Sequence, residues 1–351
     1  WQDIALRQRV LIDVDNVDTR TELAGQSCSM PVALAPLGLA GMMAQRGEAQ
    51  AVKAANAAEV PFTLSTVGIC PLAEVKAAAT APFWFQLYMI RDRGYVENLL
   101  KKAWDSGCQT LIFTIDLPLP GPRHRDTRNG LNSAGARSVA LKAQQLLSRP
   151  GWLWQVAIKG NPLTFGNLSD AVPEASNLDS FKQWVDTQFD ASVTWQAIEW
   201  LRERWPGKLI LKGILEVDDA KAAVNVGADG IVVSNHGGRQ LDGVAATARK
   251  LPDIVAAVGN DTEILVDGGI RNGVDVFRAL ALGANGVMIG RPWAWALAAE
   301  GQAGLTRLLN TWQQELKLAM TLTGVTRIAD INETHLDRTN TNELTQAGEQ
   351  Q

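Results

Sequence analysis

Apolar residues in this chain gather into short unbroken runs instead of alternating with polar ones. Eight runs stand out, rich in Val, Ile, Leu and Phe and mostly closed by Gly, Asp or Ser. They cover residues 31–38 (PVALAPLG), 62–68 (FTLSTVG), 83–88 (FWFQLY), 110–116 (TLIFTID), 209–213 (LILKG), 230–237 (GIVVSNHG), 263–269 (EILVDGG) and 286–291 (GVMIGR). Continuous hydrophobicity over so few residues marks strands buried on both faces, as in a parallel sheet. Helical stretches separate them, expected at 48–58, 72–79, 93–106, 195–205, 217–226, 247–258 and 274–282, with a last one over 293–322. Gly107, Gly227 and Gly283 each follow such a stretch, where a left-handed cap is expected before the next strand.

Eight strand–helix alternations predict an α/β fold, a (β/α)8 TIM barrel formed by residues 1–351 as a single domain. A doubly wound open sheet is the rival, and the regularity of eight units favours closure. One connection breaks the rhythm: residues 117–194 fill a link that usually needs only a few residues. This insertion after the fourth strand is read as a lid or an attachment surface.

Composition narrows the function classes. The 351 residues are 46% hydrophobic and 20% charged with a net charge of -4, which gives no general attraction to nucleic acid. Cys28, Cys70 and Cys108 are odd in number and widely spaced, so neither a disulfide framework nor a metal site is expected. No apolar run approaches the roughly 18 residues that would span a bilayer, and no signal peptide is expected before the first helix.

Polar residues with chemical potential sit at the ends of the runs. Gln86 and Tyr88 close the third; Thr114 and Asp116 the fourth; Lys212 the fifth; Ser234, His236 and Arg239 the sixth; Asp267 and Arg271 the seventh; Arg291 the eighth. C-terminal strand ends are where barrel enzymes build their sites. His236 is one of three histidines, and a lone histidine is more often structural than catalytic. Arg239 three residues on, and Asp116 on another strand end, reverse those odds, since imidazole is the natural base near neutral pH and a carboxylate stabilises its charged form. Arg239 and Arg123 could grip a carboxylate through paired hydrogen bonds, although Arg123 could equally be salt-bridged at the surface. The turns Asp267-Gly-Gly-Ile-Arg271 and Gly290-Arg291 have the character of a phosphate site. Lys212, inside an apolar strand, needs an anionic partner; a Schiff-base lysine and a fixed cation beside a cofactor both remain open.

These segments are recognisable together. SNHGGRQLD at 234–242, followed by LVDGGIRNGVDVFRALALGANGVMIGRP, closely resembles the FMN-dependent L-2-hydroxy acid oxidase and dehydrogenase family. SMPVALAPLGLAGM, PFTLSTVGICP, WFQLY, LIFTIDLPLPG and LILKGIL extend the resemblance from about Ile4 to about Ile331. Within the family, ALRQRVL, DLPLPGPRHRD and LKLAMTLTG are most similar to the bacterial quinone-linked L-lactate dehydrogenases.

The resemblance implies FMN as cofactor and a role for each position. His236 would take a proton from the substrate or assist hydride departure, with Asp116 stabilising its charged form. Arg239 and Arg123 would clamp the substrate carboxylate, and Tyr88 would hydrogen-bond the substrate. Lys212 would lie against the flavin ring, which settles its role as a cofactor cation. Ala35, Pro36, Ser65, Gln86, Thr114 and Ser234 would line the flavin. Asp267, Gly269, Arg271, Gly290 and Arg291 would hold its ribityl chain and phosphate. Family members also carry a helical segment before the position of Ile4, with a tyrosine that touches the substrate carboxylate; that contact is not assigned in residues 1–351. Val67 stands where glycolate oxidases have a tryptophan over the substrate, which implies a different pocket.

Residues 137–159 combine Arg137, Lys142, Arg149 and Lys159 with Trp152, Trp154 and several aliphatics, and contain no acid. Such a composition describes a segment lying on an anionic membrane surface, or a lid packed on its own barrel. The resemblance to membrane-bound members favours peripheral attachment at the cytoplasmic side of the bacterial inner membrane, with quinone as acceptor and a homo-oligomeric assembly. Residues 170–190 turn acidic and read as solvated surface. The alternatives are a soluble 2-hydroxy acid oxidase that uses oxygen, and an FMN-dependent isomerase on a similar barrel.

Overall fold

The unbroken apolar runs form strands because each strand is covered on both faces. The computed structural model describes residues 1–119, 121, 124, 128–129, 136–171 and 187–337. After a hairpin of β1 (Thr21–Leu23) and β2 (Gln26–Cys28) come β3 (Val32–Leu34), β4 (Thr63–Ser65), β5 (Trp84–Leu87) and β6 (Thr110–Thr114). Then follow β7 (Lys208–Ile214), β8 (Gly230–Val233), β9 (Glu263–Val266) and β10 (Gly286–Ile289). The eight strands β3 to β10 pair in parallel, in the order β3-β10-β9-β8-β7-β6-β5-β4. A parallel bridge between Leu34 and Phe62 joins the two outer members, so the sheet closes into the expected (β/α)8 barrel.

Each buried strand serves two cores. In β6, Ile112 faces the barrel interior with Ala33, Trp84, Ile210, Val232, Leu265 and Met288. Its neighbours Leu111 and Phe113 face the layer between strands and helices. The helices follow the sequence reading to within a residue or two: α1 (Gly47–Ala57), α2 (Leu72–Ala78), α3 (Arg93–Asp105), and α5 to α8 (Trp195–Arg204, Val217–Asn225, Thr247–Val258, Gly273–Ala281). Gly107, Gly227 and Gly283 hold the expected left-handed conformation, with φ of 89°, 77° and 97°.

Three features differ from the sequence reading. Except for β7, which outruns its segment at both ends, the strands are shorter than the apolar runs, because those runs continue into loops that line the top of the barrel. The expected last helix, α9 (Arg291–Thr323), breaks at Glu300 and Gly301, whose φ/ψ are not helical. The β1–β2 hairpin was not anticipated. Its Leu23 and Cys28 plug the lower end of the interior, and the Ala24 amide donates to the Glu263 carboxylate at 2.9 Å.

The long link between β6 and α5 carries α4 (Ala136–Leu147) and a π-helical turn over Leu153–Ile158. It is partly docked: Val156 is buried, Trp152 Nε1 donates to the Met42 carbonyl at 2.8 Å, and Asn167 bonds Ser65 and Leu72. Val139, Leu147, Trp154 and Ile158 remain exposed. Most of the acidic stretch at 170–190 lies outside the described residues.

Candidate active site

The loops at the C-terminal ends of the strands surround an open cleft of about 150 Å³. Its walls hold Ala35, Pro36, Tyr88, Thr114, Lys212, His236 and Arg239, and then Asp267, Gly269, Arg271, Gly290 and Arg291. Ser65, Gln86, Ser234 and Asp116 stand one step behind. Ser65 Oγ donates to Gln86 Oε1 at 3.0 Å, Ser234 Oγ accepts from Lys212, and Asp116 bonds His236. Of the residues proposed from the sequence, Arg123 alone lies outside the described part of the chain.

The base and its carboxylate come from different strands and need a local distortion to meet. Between Lys212 and Ile214 the β7 register slips against β8, and Gly213 takes φ 118°. A Cβ at Gly213 would stand 2.6 Å from the Asp116 Cβ, so only glycine lets the Asp116 carboxylate in. His236 follows β8 with φ 55°, a conformation a non-glycine residue holds only under constraint. Its amide donates to Ser234 Oγ, and its Nδ1 lies 2.8 Å from Asp116 Oδ1. Gln240 steadies the same corner, donating to the carbonyls of Asp116 and Leu119 while its Oε1 accepts from the Gly121 amide. That residue lies within the motif that singled out His236, but nothing in its sequence context indicates that it bonds back to the fourth strand.

Lys212 is buried and held by two partners: its Nζ donates to Ser234 Oγ at 2.9 Å and pairs with Asp267 Oδ2 at 3.0 Å. Burial opposes its charge, but Asp267 and then Asp116 outweigh that, and its pKa rises above the ordinary lysine value. Asp116 shows the converse. Burial alone would raise its pKa, yet the His236 hydrogen bond and the Lys212 ammonium hold the carboxyl below the usual range. The site thus keeps a fixed cation and a fixed anion side by side, with the histidine over the anion.

Several polar atoms around this cleft are buried without a partner among the described residues: Gln86 Nε2, Thr114 Oγ1, Asp116 Oδ2 and Asp267 Oδ1. A buried unsatisfied polar atom costs roughly 1–3 kcal/mol, so a group of them around one cleft points to a polar ligand that completes them. At the other end, Gly268 and Gly269 have φ of 88° and 80°, and Arg291 opens α9 with its side chain on the Gly237 carbonyl. Trp1, which no sequence feature suggested for this site, covers this end by donating from Nε1 to the Gly268 carbonyl at 2.8 Å.

Comparison with known proteins identifies the family. The profile of the family described as FMN-dependent dehydrogenase matches residues 1–338. An L-lactate dehydrogenase of Caulobacter vibrioides is 53% identical over 334 residues, covering 95% of this chain and 87% of that protein. One of Yersinia pestis is 50% identical over 330 residues, covering 94% and 86%. Among solved structures, the monotopic membrane protein (S)-mandelate dehydrogenase gives a TM-score of 0.88 at 32% identity, covering 96% of this chain and 88% of that one. A mandelate oxidase gives 0.79 at 37% identity, covering 96% and 86%.

Proposed function

Because the chain belongs to the family of FMN-dependent dehydrogenases, with FMN as its cofactor, we propose that it oxidises an L-2-hydroxy acid, foremost L-lactate, to the 2-oxo acid and passes the electrons to a membrane quinone. The observation that carries this reading is the His236–Asp116 pair beside the buried Lys212 at the cleft. The substrate assignment follows relatives at 50% identity and above that are L-lactate dehydrogenases.

The cleft fits FMN. Among the described residues, Gln86 Nε2, Thr114 Oγ1 and Asp267 Oδ1 lack partners, which the polar groups of a bound flavin would supply. Arg271, Arg291 and the amides of Gly269 and Gly290, at the start of α9, would hold the phosphate. Ala35, Pro36, Ser65 and Ser234 would line the ring, with Lys212 as the fixed cation beside it. When bound, FMN supplies the two-electron acceptor for the oxidation.

The chain's own groups do the rest. With its Nδ1–H donated to Asp116, His236 presents Nε2 as the base that removes a proton from the substrate. Asp116 stabilises the imidazolium that results, as a carboxylate held below its usual pKa can. Arg239 and Arg123 would fix the substrate carboxylate, and Tyr88 would bond its hydroxyl. The strained backbone of His236 aims the ring; relaxing it would move the base off the substrate.

Peripheral attachment to the cytoplasmic face of the inner membrane completes the reading. Among the described residues no helix is long and apolar enough to cross a membrane. Exposed Leu147, Trp154 and Ile158 with Arg149 and Lys159 form an interfacial surface, and the similar (S)-mandelate dehydrogenase is a monotopic membrane protein.

The test is anaerobic reduction of the yellow holoenzyme. L-lactate should bleach it and D-lactate should not; failure of every L-2-hydroxy acid to bleach it overturns the reading. His236→Gln should keep the flavin and lose bleaching, whereas loss of the flavin would assign His236 a structural role.

A further inference from the structure

A second cavity adjoins the cleft, outside the barrel wall. It lies between the ends of β5 and β6 and the chain that leads into α5, and its volume is about 170 Å³. Tyr88 and Thr114 line both spaces, so the cavities are neighbours across one layer of side chains. The walls are of opposite character. The cleft is ringed by Lys212, Asp267, Arg271 and Arg291, whereas the second cavity is built from Met89, Phe113, Leu117, Phe189, Trp195 and Ile198.

Among the described residues, its one wall carboxylate, Asp190, is already engaged. The carboxylate pairs with Arg93 and accepts from Ser192, and its side chain is 7% exposed. Among the described residues, no free charge is therefore offered to a ligand. The Tyr88 ring lies against Phe189, centroids 4.9 Å apart and tilted by 34°, so the wall nearest the cleft is aromatic. Such a space takes a flat, uncharged ring. The substrate acid, an anion that needs the arginines, does not match it.

Resting on the acceptor proposed above, we infer that this cavity is where the electron acceptor's ring docks, one side-chain layer from the reacting groups. The occupant is a neutral para-quinone. Oxidising the hydroxy acid releases two electrons and two protons, and these convert the two quinone carbonyls to two hydroxyls, so the acid and the quinone balance. A separate acceptor site lets the oxo acid and the quinone be handled without exchanging places in one cleft.

Filling the cavity tests this. Ala191 and Val193 line it and are not part of the cleft's lining. In the holoenzyme, Val193→Phe and Ala191→Trp should raise the KM for a decyl-substituted benzoquinone by about tenfold or more, since overpacking of this size weakens binding to that extent. Anaerobic bleaching by L-lactate and reduction of hexacyanoferrate should stay as in the parent, which also verifies folding. Unchanged quinone kinetics in both variants would overturn the assignment. Slowed bleaching would overturn it in favour of a pocket for the acid's own substituent. If the parent enzyme itself bleaches and reduces hexacyanoferrate but no quinone, the acceptor reading falls and this site with it.

Discussion

Replacing Asp116 by Asn removes one negative charge while preserving the shape of the side chain, and the structure allows its effect to be sized. Asp116 and His236 meet at 2.8 Å with side chains 14% exposed, so bulk water screens the pair little. A hydrogen bond to a charged group contributes about 1.5–3 kcal/mol net. The attraction of unit charges about 4 Å apart, at an effective dielectric near 20, is about 4 kcal/mol. These figures bracket the loss when the imidazolium forms without its carboxylate. At about 1.4 kcal/mol per tenfold, flavin bleaching by L-lactate should slow by about 10- to 1000-fold. Asn can also turn its amide N–H toward Nδ1 and leave the proton on Nε2, the wrong tautomer for a base. Stopped-flow absorbance under anaerobic conditions measures this directly, with flavin content as the control. A rate within about threefold of the parent, less than 1 kcal/mol, would refute the role given to the pair.

Three further outcomes follow from the same geometry. Gly213→Ala should destabilise the fold by about 1–3 kcal/mol from its backbone conformation and slow bleaching as well, because the new Cβ meets Asp116; a stable and fully active variant would contradict the close approach. Lys212→Met should lower stability by about 3–5 kcal/mol in urea unfolding, as breaking a buried pair leaves Asp267 uncompensated, and an unchanged midpoint would show that the pair adds nothing. For acid stability, Asp116 and Asp229 have folded pKa values below their ordinary 3.8, each against an opposing burial effect. Their ionised forms therefore stabilise the fold above that value, and the contribution is lost as pH falls through the lower folded pKa. Urea midpoints should fall on acidification below about pH 4, and a flat profile from pH 5 to 3 would contradict these shifts.

Much of this architecture was legible in the chain. Parallel strands have no solvent face, so their runs stand out, and glycine caps such as Gly227 punctuate the helices. The site was legible because barrel chemistry collects at strand ends, which placed His236, Asp116 and Lys212 in one cleft. What escaped reading was nonlocal or conformational. The hairpin at Ala24 and Gly25 turns through two left-handed residues, φ 48° and 78°, but carries alanine where asparagine or aspartate would have flagged the turn. Gln240 acts on carbonyls more than a hundred residues away, and no local pattern encodes that. Strand ends were overextended because Pro36 and Val67, though apolar, serve the loops of the site and not the sheet.

The hairpin that corks the lower end of the barrel has a consequence for how this chain can change. Leu23 and Cys28 fill the foot of the interior, and Glu263 ties their turn to β9, while all the proposed chemistry lies at the opposite rim. Anchorage and reactivity are thus a strand's length apart. Rim loops can be exchanged to admit a bulkier acid without loosening the foot, and repairs at the foot can raise the melting temperature without retuning the base. For protein engineering, the molecule offers two separate dials.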